Sequence, residues 1–357
     1  MSVLKVAVLD DYQGVSKTSF DALDRASFEV TIFRDTLRPY SHPDTNDAER
    51  DALVERLLPF EIICTMRERT PFPPPLLARL PNLKLLLTTG RRNASLSLPT
   101  LASLSVPVAG TTDAPASPDS TTQHCVALIL ALARDIPSSH ANLQRPGGAI
   151  WQTSVATPLS ERTFSTIGLG RLGVAVAKIM RTAFNMRILA WSQNLTQEDA
   201  DAKAVAAGLP VERPDGGKTF QVVSKEEAFA AADVLSLHLV LSDRSRGIVA
   251  AADLAHMKNT AFLVNTSRGP LVDEADLLAA LKAGRIAGAA LDVFDLEPLA
   301  ADSEWRTTEW GVDGRSRVVL TPHMGYVEGE KLRGWYEQQV ENIRRWKAGE
   351  ELLNRFA

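Results

Sequence analysis

Three places in this sequence carry polar groups at the ends of apolar runs, where an open α/β sheet sets its ligand crevice. Arg268 follows the run AFLV in the string NTSRGPLVDE. An RG turn leading into a helix start would hold its guanidinium fixed, and that planar fork suits a carboxylate gripped bidentately. Asp292 and Glu297 close the small-residue run of ALDVFDLEP, which Pro298 stops, and His323 ends VVLTPHMGY between Pro322 and Met324. Of six histidines it alone stands in a turn bounded by Pro and Gly. A cation for an anion, two carboxylates and a group that titrates near neutral pH make acid–base equipment. His42, His124, His140 and His256 lie in helical or loop contexts and are expected to be structural, and nothing here has metal-ligand spacing.

A fourth feature is a glycine motif. In TFSTIGLGRLGVAVAKIM, Gly168, Gly170 and Gly173 satisfy G-x-G-x-x-G between an apolar strand and an amphipathic helix, the context in which it binds a dinucleotide. The first glycine permits a tight turn, the second lets backbone approach a pyrophosphate, and the third lets helix pack on strand. The helix N-terminus, with Arg171 and Leu172 following the second glycine, favours the phosphates, and Arg171 adds a charge to them. The next strand, MRILAW, would end in an acid if the ribose of NAD were preferred. It ends Trp191, Ser192, Gln193, Asn194. No acid repels a 2′-phosphate there and no adjacent Arg or Lys binds one, so NAD and NADP both stay open. Ser192 and Asn194 can hydrogen-bond either ribose. His238, in LSLHLVL, ends a run on an apolar face, which suits a cofactor wall or the core.

These positions need elements to carry them. From Leu4 to Leu104 the runs LKVAVLD, FEVTIF, EIICT and LKLLLTT alternate with helical stretches such as DTNDAERDALVERLL. A second series starts at Arg162, with RTFSTIG, MRILAW, DVLSLHL, AFLVNT and IAGAALDV separated by windows such as RLGVAVAKIMRTAF and DEADLLAALKAG. Such alternation predicts parallel strands with crossover helices, hence an α/β fold of two doubly wound, Rossmann-like domains with a cleft between them. The expected division is 1–115 with 325–357, and 116–324. Residues 110–124, rich in Pro, Ser and Thr, read as a hinge entering a long helix, and 331–347 as a helix returning to the first domain. Residues 210–221 break the pattern and read as a surface insertion.

Bulk properties agree. A chain of 357 residues exceeds one ordinary core, and 45% apolar with 23% charged residues suits a globular protein. A net charge of -4 offers no basic field for nucleic acid or anionic membrane. Cys64 and Cys125 fall in strand-like and helical runs, so two buried reduced thiols are expected rather than a disulfide. The chain opens directly on LKVAVLD, without a basic or long apolar leader, so a cytoplasmic location is expected, with no membrane anchor.

The string VNTSRGPLVDEADLLAALKAGRIAGAALDVFDLEP resembles the signature of the D-isomer-specific 2-hydroxyacid dehydrogenases. LLLTTGRRNAS, TTQHCVALILALARDIP, GLGRLG, DVLSLHLVLSDRSRGIV and TPHMGY extend the likeness over most of the chain. Arg268, Glu297 and His323 stand in the family's Arg, Glu, His order with its usual first spacing. The step to His323 is longer, because ADSEWRTTEWGVDGRSR is extended, and it reads as a loop. The resemblance implies hydride transfer between a nicotinamide cofactor and a small 2-keto acid or D-2-hydroxy acid, such as glyoxylate or hydroxypyruvate. Negative charge then builds on the carbonyl oxygen, which a proton donor and a cation must face. By resemblance His323 donates the proton, Glu297 holds its tautomer and favours the imidazolium, and Arg268 binds the carboxylate and polarises the carbonyl. Asp292 matches the residue that meets the nicotinamide carboxamide, and Thr121 a position near that ring. His238 and Thr266 complete the cofactor set.

Gly90 and Arg91, in TTGRRN, match positions whose backbone N–H groups bind the substrate carboxylate. Arg91 and Arg92 add charge that would suit a dicarboxylate or phosphorylated substrate. Two departures stand out: Gln123 replaces an acid in TTQH, and Ser165 replaces a frequent Gly. Formate dehydrogenases share the architecture but pair their histidine with Gln, so Glu297 argues against them. The alternatives are a phosphoglycerate dehydrogenase and an NAD(H)-sensing binding protein of the corepressor type, and fold alone separates neither. Family members usually dimerise through the nucleotide domain, so a homodimer is expected, acting on a small molecule.

Overall fold

Runs of Leu, Ile and Val that are apolar on both faces make strands that must be covered on both sides, the habit of parallel sheets. The structure, a computed structural model, describes residues 3–113, 119–147, 151–152 and 154–356. It holds two compact units, Met1–Pro118 with Val327–Ala357, and Asp119–Tyr326. Residues 114–118, within the expected hinge, lie outside the described residues.

In the first unit five strands form one sheet: β1 (Leu4–Val8), β2 (Phe28–Ile32), β3 (Ile62–Thr65), β4 (Leu85–Thr88) and β5 (Val108–Ala109). Their order is β2-β1-β3-β4-β5, and every pairing is parallel. This is the flavodoxin-type doubly wound order. The helix Asp47–Leu57 starts on a capping box, with Asn46 Oδ1 accepting from the Glu49 N–H and Glu49 Oε2 from the Asn46 N–H, each at 2.9 Å. The last helix, Gly329–Ala348, packs into this unit: Tyr336 donates to Asp11 Oδ1 at 3.3 Å and Gln339 to the Thr65 carbonyl at 3.2 Å.

The second unit carries β6 (Thr163–Ile167), β7 (Arg187–Trp191), β8 (Gln221–Val222), β9 (Val234–Leu237), β10 (Phe262–Asn265), β11 (Gly288–Leu291) and β12 (Arg317–Leu320). The order β12-β11-β10-β9-β6-β7-β8 is parallel throughout. It extends the dinucleotide-binding pattern by one strand and reverses between β6 and β9, the switch point where such sheets take their ligands. The helix Ser120–Ala133 buries Cys125, Leu128, Ile129 and Leu132, and the helix Arg171–Phe184 buries Val176, Ala177 and Met180 on one stripe.

Two sequence expectations change here. Residues 210–221 are not simply a surface insertion: Thr219 and Phe220 are buried, and Gln221 opens the edge strand β8. A two-residue strand is too short to show a period. The stretch after Pro298 is not simply a loop, because its one-turn helix Glu304–Thr307 sets Trp305 in the core, against Phe294 and Trp310 at centroid distances of 6.2 and 5.9 Å. Cys64 and Cys125 are buried free thiols, as expected. Among the described residues no helix is long and apolar enough to cross a membrane.

Candidate active site

The switch point is built by backbone contact. Gly168 follows β6 with φ +103°, a conformation costly for any residue with a Cβ, and a Cβ there would lie 2.8 Å from the His238 carbonyl carbon beyond β9. At Gly173 a Cβ would lie 2.1 Å from the Gly168 oxygen, so helix and turn touch. Gly170 differs: among the described residues nothing lies within 4 Å of a Cβ there, and it begins the helix Arg171–Phe184 without a side-chain cap. The first N–H groups of that helix thus face open space, a place for an anion. Leu172 is half-buried in the first turn. Arg171 is exposed and pairs with Asp119 at 3.0 Å, a contact that phosphates would have to share.

His238 lines the same turn. Its Nε2 is 2.9 Å from the Ser236 hydroxyl, and its Nδ1 is buried with no partner among the described residues. Burial pushes its pKa down to about 4, so the ring is neutral at physiological pH. Behind it Cys125 lies 3.6 Å from Ser236 Oγ and bonds to Thr266, which is buried. Ser192 is half-buried where β7 ends, in a turn closed by the Leu195 N–H on its carbonyl at 3.1 Å.

Beyond β10 the string NTSRG is folded on itself. Asn265 donates to the Arg268 carbonyl at 2.9 Å and accepts from the Ser267 N–H at 3.1 Å, while Ser267 Oγ ties to the Leu237 carbonyl at 2.7 Å. Arg268 sits at the tip of this knot, with Nη1 on the Ser267 carbonyl at 2.7 Å. The next residue, Gly269, lies so close to the chain after β11 that a Cβ would be 2.1 Å from the Phe294 carbonyl carbon. The Phe294 N–H in turn donates to Glu297 Oε1 at 2.9 Å. Glu297 Oε2 meets His323 Nδ1 at 2.6 Å, with the two side chains only 18% and 14% exposed. Sequence-distant strand ends thus place the loop of Arg268 against that of Glu297, and Glu297 on His323. His323 itself has φ +50° and stacks edge-on to Tyr326 at 5.7 Å.

A second cluster sits beside it. Asp292, 1% exposed, accepts on Oδ1 from Thr321 Oγ1 at 2.6 Å and the Met324 N–H at 2.8 Å, and on Oδ2 from the Gly325 N–H at 3.0 Å. His124 Nε2 lies 3.2 Å from Asp292 Oδ1 and 3.0 Å from Thr321 Oγ1. Burial alone would raise Asp292, but the bonds from His124, Thr321 and Met324 outweigh it and hold the carboxyl below its usual range. Thr121, one turn before Cys125, borders the cluster, its Cγ2 being 3.5 Å from where a Gly325 Cβ would sit. Sequence reading gave His124 a structural part and did not single out Thr321. The one local signal was the position of His124 near the start of a helix that follows a Pro- and Ser-rich entry.

Gly90 and Arg91 belong to the first unit. Gly90 has φ +86°, and its N–H already donates to Thr111 Oγ1 at 2.9 Å. The Arg91 and Arg92 side chains are exposed.

Residues 126–325 match the family model described as D-isomer specific 2-hydroxyacid dehydrogenase, NAD binding domain. The chain belongs to this family. A glyoxylate reductase of Korarchaeum cryptofilum is 35% identical over 189 residues, 53% of this chain and 50% of that protein. A D-3-phosphoglycerate dehydrogenase of Synechocystis is 33% identical over 205 residues, 57% of this chain and 32% of the relative. The matched region thus spans from a third to a half of these two relatives' length. Among solved structures, a phosphoglycerate oxidoreductase from Vibrio cholerae aligns with a TM-score of 0.79 at 34% identity, over 97% of this chain and 100% of that one. The residues here fit the NAD of the family's domain: Gly170 leaves open space at a helix start without a side-chain cap, and His238, whose backbone closes on the turn after β6, keeps a buried Nδ1 without a partner among the described residues.

Proposed function

We propose that this protein is an NAD(P)-dependent D-2-hydroxyacid dehydrogenase that interconverts a small 2-keto acid and its 2-hydroxy acid. The observation that carries the reading is the 2.6 Å contact of Glu297 with His323 Nδ1 in a setting largely closed to water. A carboxylate there fixes the Nδ1–H tautomer and favours the imidazolium, which leaves Nε2 to exchange a proton with the substrate oxygen. Arg268, held at the tip of its knot, supplies the cation for carboxylate and carbonyl. Gly168, Gly170, Gly173 and the amides at Arg171 and Leu172 would hold the dinucleotide's phosphates. Ser192 would face its ribose, and Thr121, Thr266, His238 and Asp292 its nicotinamide end. When bound, the nicotinamide gives or takes the hydride. Gly90 and Arg91 belong to the substrate's carboxylate site, in a substrate domain completed by the C-terminal helix.

Two free buried thiols support a cytoplasmic setting, and Ile136, Leu143 and Trp151, exposed apolar residues of the nucleotide unit, support a homodimer. The net charge supports a small-molecule substrate rather than nucleic acid. The test mixes the protein with NADH or NADPH and a panel of 2-keto acids that includes glyoxylate, hydroxypyruvate and its phosphate ester, and follows the loss of reduced-nicotinamide absorbance. Turnover on at least one acid, abolished by His323→Ala, supports the proposal. Cofactor binding without turnover on any acid would instead point to a nucleotide-sensing protein.

A further inference from the structure

Asp292 is out of water, and a carboxylate in that position needs its lone pairs filled. Two of its donors are the amides of Met324 and Gly325, which directly follow His323. His323 has φ +50°, a left-handed backbone conformation that is unfavourable for an L residue. The carboxylate is therefore the acceptor around which the chain turns to present the imidazole. The other two partners, Thr321 and His124, come from β12's end and from the helix Ser120–Ala133. The Thr321 hydroxyl has one proton and gives it to Asp292, so its lone pairs are what face His124 Nε2 at 3.0 Å. Both groups that His124 Nε2 meets are acceptors. That nitrogen must carry a hydrogen, shared between them.

We propose that His124 is a positioning residue of the acid–base site: its Nε2–H fixes Asp292 and Thr321, and through them the turn 322–325 that orients the His323 imidazole. The label acid–base rests on the dehydrogenase reading above, whereas the geometry does not. His124 Cδ2 is 3.5 Å from a Cβ position at Gly325, and Asp292 Oδ2 is 3.2 Å from it, so the ring also packs on the turn it holds. Among Asp292's partners His124 is the one that can bear charge, and its bond favours the ionised carboxylate.

The test uses the full chain with His124→Leu, which removes the donor, and His124→Gln, whose amide nitrogen can take the place of Nε2. Loss of one hydrogen bond to a charged group predicts that kcat for 2-keto acid reduction falls about tenfold in H124L, with KM for the keto acid within about threefold of its original value. H124Q should recover most of that loss. In H124L the acid limb of the kcat profile should move to higher pH, since Asp292 loses a donor to its charged form. A readout independent of turnover is the imidazole nitrogen spectrum of histidine-labelled protein. It should show His124 protonated on Nε2, and His323 resonances that shift in H124L and return in H124Q. Equal losses in H124L and H124Q, or His323 resonances unmoved in H124L, would overturn the proposal. If the wild-type chain turns over no 2-keto acid while the spectra behave as stated, the dehydrogenase reading fails and the positioning contact stands. Should H124L not fold, His124→Asn, whose amide is too short to reach, replaces it.

Discussion

Replacing Glu297 by Gln tests the pairing at the centre of the site. Glu297 uses both oxygens, Oε1 for the Phe294 N–H at 2.9 Å and Oε2 for His323 at 2.6 Å. Gln offers one oxygen and one NH2 group, so it can satisfy one of these donors and must present hydrogens to the other. It also removes the charge. A hydrogen bond to a charged group contributes ~1.5–3 kcal/mol and a neutral one ~0.5–1.5 kcal/mol, so their midpoints differ by ~1.3 kcal/mol, which is close to one pH unit. Glu297 favours the protonated ring, so without its charge the proton leaves at lower pH. Keto-acid reduction needs that proton. In E297Q the alkaline limb of kcat/KM for reduction should therefore move down by about one pH unit, giving a rate about tenfold lower at pH values above both limbs and converging with wild type in acid. The oxidation direction, which needs the neutral ring, should have its acid limb moved the same way. The assay is initial rate against pH in both directions at saturating cofactor. A uniform loss at every pH, with both limbs unmoved, would refute the assignment of Glu297 as the group that tunes His323.

Arg268→Lys should lower kcat/KM by about a hundredfold or more, because a point charge cannot replace a fork on a carboxylate; steady-state kinetics giving near-normal values would take Arg268 out of the site. Ser192→Asp should raise the NADH-over-NADPH preference at least tenfold by placing a charge where a 2′-phosphate would sit, as read from KM for the two cofactors; an unchanged ratio would move the ribose site elsewhere. His238 is neutral in the folded chain, with its pKa pushed down to about 4 from 6.5. Between those values the unfolded chain binds a proton that the folded one does not, so stability falls as pH drops through that window. His238→Leu should flatten the dependence of Tm on pH there, and an unaltered slope would contradict a buried neutral ring.

What was legible in the sequence was what local pattern encodes. The glycine turn reads from a short string because strand, turn and helix follow one another, and Gly168, Gly170 and Gly173 fill three physically different roles in it. Arg268 and His323 stood out because strand ends are marked by apolar runs stopped by Gly or Pro. The acceptors of His124 were hidden, since Asp292 is 168 residues away and nothing near His124 announces a carboxylate. The engagement of the Gly90 amide by Thr111 was hidden for the same reason, being a contact between the loops after two neighbouring strands. Trp305 reached the core from a stretch without periodicity because a single helical turn is too brief to show one.

The most direct measurement of the central claim is the fate of the hydride. Incubating the protein with a 2-keto acid it turns over and with reduced nicotinamide cofactor deuterated on either face at C4, then determining isotope position and chirality, follows transfer and stereochemistry together. Deuterium is expected at C2 of a D-2-hydroxy acid from one face of the cofactor, with no product from His323→Ala. A product of L configuration, no label at C2 from either face, or undiminished turnover in the His323 variant would contradict it.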